Sequence, residues 1–183
     1  MPENQLHMVR RNLDGLPELD ALDGYELRAY RPGDEEGWAA IMNTGIGKWT
    51  ADKCREQLTG QPQFLPDGLL FAIHEGTPVG SACAWRKSPD EWQTGIVHMV
   101  CVVPEHRAQG VGVLLTLAVL HYFEDHGFQE AWLSTDDFRL PAIKAYLRLG
   151  FEPFYCDESH RERWKAVFEK IGEQAGGDVT RDA

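Results

Sequence analysis

The consecutive residues Arg107-Ala108-Gln109-Gly110-Val111-Gly112 place a guanidinium and two glycines where an apolar strand gives way to an apolar helix. The stretch before them, Val100-Cys101-Val102-Val103-Pro104, reads as a buried strand stopped by a proline. A helix start leaves its first N–H groups without partners, and the helix dipole adds about half a positive charge there. Together these suit an anion, phosphate above all. Gly110 and Gly112 remove side chains that would block a pyrophosphate, and Arg107 adds a cation able to meet one. The bland alternative is an ordinary strand–turn–helix with glycines at the helix start. The segment is not a P-loop, which needs a Lys after its second glycine, nor is it G-x-G-x-x-G.

His98 is the other chemical candidate. It stands in the mostly apolar run from Gly95 to Val103, where no carboxylate is present. Strand alternation puts it on one face with Ile96, Val100 and Val102. An imidazole with an ordinary pKa near 6.5 suits proton acceptance near neutrality, directly or through a water. A core histidine bonded to backbone fits the same residues equally well. Trp38, Trp49 and Trp85 are candidates either for a substrate wall or for core. His121 and His126 share no helical face and have no third ligand at metal spacing, so no metal site is expected.

The elements that must hold these residues follow from periodicity. Tyr25–Tyr30, Leu69–His74, Val79–Trp85, Gly95–Val103, Ala131–Thr135 and Phe151–Tyr155 read as strands. The second and third are joined by a tight hairpin connection at Glu75-Gly76-Thr77-Pro78, and the apolar Gly95–Val103 suits the centre of a sheet. Helices are expected after Asp34, after Thr50, over Gly110–Asp125, over Pro141–Leu149, and after a Ser159/Glu162 capping box. A meander followed by alternating strands and helices implies a mixed sheet in an α/β (α+β) fold. Residues 1–24 read as a loosely packed lead-in, 25–172 as one domain and 173–183 as a loose tail.

Composition narrows the function classes. The chain has 183 residues, 43% of them hydrophobic, enough for one core. With 18 Lys and Arg against 29 Asp and Glu, the formal charge is −11, which argues against nucleic-acid binding. No apolar run approaches the roughly 20 residues of a membrane span, and no signal core opens the chain. Cys54, Cys83, Cys101 and Cys156 form no C-x-x-C pair, which suits a reduced, cytoplasmic setting.

R-x-x-G-x-G between a strand and an apolar helix resembles the acetyl-CoA motif of the GNAT superfamily of N-acetyltransferases. Pro141 to Pro153, with A-x-x-x-Y-x-x-x-G-F inside it, resembles that family's late helix. The two signatures keep the family's order and separation, and the resemblance covers residues 25–157. It implies a splayed sheet of six to seven strands, acetyl-CoA as cosubstrate, and direct transfer to a primary amine of a small molecule or peptide. It further implies that the Val100, Cys101 and Val102 backbone pairs with the pantetheine arm, and that amides from Arg107 through Ala108, Gln109, Gly110 and Val111 to Gly112 hold the pyrophosphate. A backbone N–H near Val100 would hold the oxyanion. Tyr146 matches the family tyrosine at the thioester sulfur, where a phenol can protonate the leaving thiolate; its apolar neighbours Ile143 and Leu149 also fit a core tyrosine. Cys101 is expected to pack. Where the family often has Asn before the helix, Arg139 stands, with Asp136 or Asp137 as alternative caps. The rival class is a non-catalytic acyl-CoA-binding module. The amphipathic C-terminal helix leaves a homodimer open.

Overall fold

A computed structural model describes residues 5–172 of the chain. Seven strands form one sheet in the order β2-β3-β4-β5-β6-β1-β7. They are β1 (Leu6–Arg10), β2 (Glu26–Ala29), β3 (Phe64–His74), β4 (Thr77–Arg86), β5 (Thr94–Val102), β6 (Glu130–Thr135) and β7 (Glu152–Phe154). The helices are α1 (Glu35–Met42), α2 (Ala51–Cys54, continued by a π-helical turn to Thr59), α3 (Val111–Asp125), α4 (Leu140–Arg148) and α5 (Glu158–Ile171).

The strand β5 is central, as its apolar run implies. Its pairing with β6 is the one parallel ladder among the described residues, and it extends only over Thr94↔Glu130, Gly95↔Ala131 and Ile96↔Trp132. Beyond Ile96 the strands part, although β5 continues to Val102 and β6 to Thr135. The sheet is therefore open at the carboxyl ends of its two middle strands, where α/β folds bind ligands.

Two cores clamp the sheet. One joins Leu115, Val119 and Phe123 of α3 to Val79, Ala82, Ala84 and Val97, and includes Tyr146 of α4 and Trp164 of α5. The other packs Trp38, Ile41 and Met42 of α1 with Leu58 against Leu69, Phe71, Cys83 and Cys101. Gly95 lets α3 lie close to β5: a Cβ there would come within 2.6 Å of the Phe123 ring.

Several local expectations are corrected. The lead-in contains β1, whose Leu6, His7, Met8 and Val9 are all buried between β6 and β7. A strand covered on both faces shows no alternation to reveal it. Asp34 precedes α1 but does not cap it, because its carboxylate is held by Arg28 at 2.6 Å and by the Arg31 amide at 2.7 Å. The helix α5 is capped by Asp157, which accepts from the His160 amide at 3.0 Å; Ser159 lies inside the helix. Thr50 does cap α2, accepting from the Lys53 amide. The reading of 173–183 as a tail lies outside the described residues.

Candidate active site

The turn before α3 behaves as a set of free donors. Gly110 is the residue before the helix and holds a left-handed conformation, φ +89°, and no side chain caps the helix. Ala108 is also left-handed at φ +59°. Among the described residues, no protein acceptor meets the backbone N–H groups from Ala108 to Val113. A helix start without a cap, preceded by left-handed turns, is an anion-binding concavity. A Cβ on Gly110 would meet only Leu22, at 3.8 Å, and one on Gly112 only Val102, at 3.9 Å. Both positions open onto space that a diphosphate can enter.

That space is a cavity of about 630 Å³ lined by Val100, Cys101, Val102, Arg107, Ala108, Gly110 and Gly112 on one side and by Phe138, Arg139, Ala142 and Tyr146 on the other. Its size suits an extended organic ligand. The residues predicted for the phosphate turn are thus gathered, with three adjustments. The Arg107 amide is bonded to the Pro104 carbonyl, so the unpaired donors begin at Ala108. The Arg107 guanidinium donates to the Val102 carbonyl at 2.8 Å and the Thr44 carbonyl at 3.1 Å, bracing the loop after α1. Val111 is buried in the core, and the Gln109 side chain turns back to Tyr25 and to the Glu105 carbonyl. Neither side chain lines the cavity.

A second cavity of about 330 Å³ occupies the splay itself, lined by Trp85, Ile96, His98, Met99, Val100 and Leu133, with Gln5, Ser134, Thr135 and Asp136 completing it. Val100, Arg139, Ala142 and Tyr146 line both cavities, so the two meet at Tyr146. Burial pushes the Tyr146 phenol up to about 12, which keeps it protonated at neutral pH. No hydrogen bond within the described residues engages it.

His98 sits in the second cavity against Trp85, ring centroids 5.4 Å apart. Burial lowers its pKa to about 4, so it is neutral at pH 7 and its lone pair is available. It does not share a face with Val100 and Val102. One extra residue in β5, between Ser81↔Cys101 and Cys83↔His98, makes a bulge with Met99 at φ +53°. The bulge reverses the alternation, leaving His98 on the side of Ile96 and Cys101. It also takes Met99 and Val100 out of the paired ladder.

Arg139 is the residue the motif did not explain. Its Nε donates to Asp136 at 2.8 Å and its Nη2 to the Gly45 carbonyl at 3.0 Å. Asp136 therefore does not cap α4, and Asp137 pairs with Arg163. Of the tryptophans, Trp85 lines the second cavity, Trp38 is fully buried with Trp49 edge-on at 5.0 Å, and only the first borders the site. Cys101 is buried, its thiol directed at the Ile41 carbonyl at 3.4 Å.

An open mixed sheet has uncapped amides beside its splay and a buried phenol at the junction of two cavities, an arrangement able to hold a phosphate-bearing ligand against a second, smaller one. The acetyltransferase (GNAT) family model matches residues 38–151, and the chain belongs to that family. It is 33% identical over 162 residues to a mycothiol acetyltransferase of Thermomonospora curvata, covering 83% of this chain and 53% of that protein. It is likewise 33% identical over 170 residues to one of Actinosynnema mirum, covering 88% of this chain and 53% of the relative. The chain thus spans about half the length of these relatives. The fold is shared with a GCN5-related N-acetyltransferase from Sphaerobacter thermophilus, with TM-score 0.69 and 24% identity over 82% of this chain and 48% of that one. Among the described residues no helix is long and apolar enough to cross a membrane.

Proposed function

We propose that the chain transfers an acetyl group from acetyl-CoA to the primary amine of a small molecule, both substrates being bound at once. The observation that carries this reading is the shared wall: Tyr146 and Val100 border both the cavity beside the phosphate turn and the cavity in the splay. A donor in one and an acceptor in the other would meet there.

The residues fit acetyl-CoA, which would supply the acetyl group as a thioester. The unpaired amides from Ala108 to Val113 would hold its diphosphate. The edge of β5 through Val100–Val102 that β6 leaves open would hold the pantetheine arm as an added strand. His98 accepts the proton that the incoming ammonium must lose, directly or through a water. Tyr146 holds a proton at its phenol oxygen for the departing sulfur. The amide near Val100, freed by the bulge, suits the developing negative oxygen.

The acceptor cavity is not acidic, despite the net charge of −11. Its charged residues are Asp136 and Arg139, which pair with one another. Gln5, Ser134 and Thr135 offer neutral polar atoms opposite the apolar Trp85 and Met99. An amine with an uncharged polar remainder suits this lining better than a polyamine. The relatives' name, that of a mycothiol acetyltransferase, agrees with a small-molecule acceptor.

The test is thiol release from acetyl-CoA with a panel of neutral amines, amino acids and polyamines, alongside calorimetric CoA binding. Turnover with a neutral polar amine supports the reading. CoA binding without turnover across the panel would assign the chain to the non-catalytic class.

A further inference from the structure

Away from both cavities, three side chains able to ligate a metal converge from distant parts of the chain. His7 lies on the buried β1, opposite Phe154 of β7 and Ser134 of β6. Cys156 follows β7, and His160 lies in the first turn of α5. The Asp157 cap makes the chain turn so that Cys156, just before the cap, and His160, three residues after it, lie side by side. One ligand atom from each of His7, Cys156 and His160 falls within 4.8 Å of the others. The imidazoles are 5% and 3% exposed, with centroids 5.5 Å apart, while Cys156 is exposed.

The two buried imidazoles lie side by side, and among the described residues no hydrogen bond joins them. They are good partners for a metal. The His7 Nδ1 is tied to the Ser134 hydroxyl at 2.9 Å, which orients the ring and leaves its other nitrogen available. Among the described residues the His160 ring receives one long contact, 3.4 Å, from the Cys156 amide, which coordination would replace. We infer that His7, Cys156 and His160 form a three-ligand site for a borderline transition-metal ion such as zinc, with water as the fourth ligand. Imidazole and thiolate donors select such ions over magnesium or calcium. Bonds of about 2.0–2.3 Å require the ligand atoms to draw in by roughly 1 Å. The exposed Cys156 side chain and rotation of the imidazoles supply that movement. Coordination of the thiol releases one proton to solvent and leaves a thiolate on the ion. The site staples the start of α5 to β1, one hydrogen bond behind Ser134 of the acceptor cavity.

The test is independent of acetyl transfer. Untagged, metal-free full-length protein is titrated with cobalt(II) and then zinc(II). The expected result is one equivalent of cobalt bound, with a thiolate charge-transfer band and the intense visible bands of tetrahedral coordination, both displaced by zinc. Cys54, Cys83 and Cys101 are buried, so Cys156→Ser should abolish the charge-transfer band with the fold intact by circular dichroism. His160→Gln should weaken zinc binding at least about tenfold. A cobalt spectrum without the thiolate band, or zinc affinity unchanged in Cys156→Ser, overturns the site.

Discussion

Arg139 donates to the backbone carbonyl of Gly45 at 3.0 Å, linking the start of α4 to the loop after α1. Arg107 holds the adjacent Thr44 carbonyl at 3.1 Å. Two arginines thus grip one loop from the two sides of the larger cavity, and Arg139 reaches both cavities.

Arg139→Ala should therefore loosen the mouth without unfolding the chain. The lost bonds are partly exposed, so stability falls by about 1 kcal/mol or less. The Michaelis constants for both substrates should rise, by about tenfold for the acceptor, if Arg139 contributes a charged hydrogen bond to the site's order. Steady-state kinetics check this; an unchanged pair of constants would show the strap to be ornamental.

Tyr146→Phe keeps the ring that packs near Phe151 at 6.0 Å and removes only the hydroxyl. A lost general acid lowers kcat roughly 100-fold. Binding of CoA, measured by calorimetry, should stay within about threefold because the phenol donates only as the sulfur departs. Full kcat in this variant removes the phenol from the mechanism.

Gly112→Glu puts a carboxylate into the open space beside the unpaired amides, where only Val102 comes near, at 3.9 Å. Affinity for CoA should drop at least about 100-fold, or about 2.7 kcal/mol. The thermal midpoint should barely move, since Gly112 lacks the left-handed backbone that makes Gly110 a poor choice for this test. Retained CoA affinity would place the diphosphate elsewhere.

The His98 imidazole, lowered by burial from 6.5 to about 4, sets a direction for pH dependence. The unfolded chain binds the proton that the folded site resists, so between these values unfolding takes up protons. Stability should be unaffected above pH 6.5 and should decline as pH falls from 6.5 toward 4. Urea midpoints across this range, compared with His98→Asn, isolate the contribution. In kinetics, the same desolvation predicts no His98-dependent limb near pH 6.5 in kcat/KM.

Gly95→Ala would set a methyl 2.6 Å from the Phe123 ring. Overpacking of this kind destabilises by about 1–3 kcal/mol. Chemical denaturation should show that loss, and Phe123→Leu in the same chain should recover part of it. Additive losses in the double variant would mean the two positions do not meet.

The amino-acid order alone determined the glycine turn with its uncapped helix start, the buried α3 behind it, the central place of β5 and the tyrosine on α4. Each depends on residues within a few turns of one another: a proline stop, an uncapped glycine start, a stripe of apolar side chains. Tertiary structure decided the rest. The bulge at Met99 that moves His98 to the other face arises from pairing with β4, which strand alternation within β5 cannot register. The place of β1 comes from partners at Ala131–Thr135 and Glu152–Phe154, more than a hundred residues away. Arg107 looks like a phosphate ligand by type, yet it and Arg139 meet loop carbonyls that only the closed fold brings within reach. His7, Cys156 and His160 have no shared spacing and are neighbours because β1 lies beside β7. Short-range backbone preferences are written along the chain; the contacts that select side-chain partners are settled only when burial has brought remote segments together.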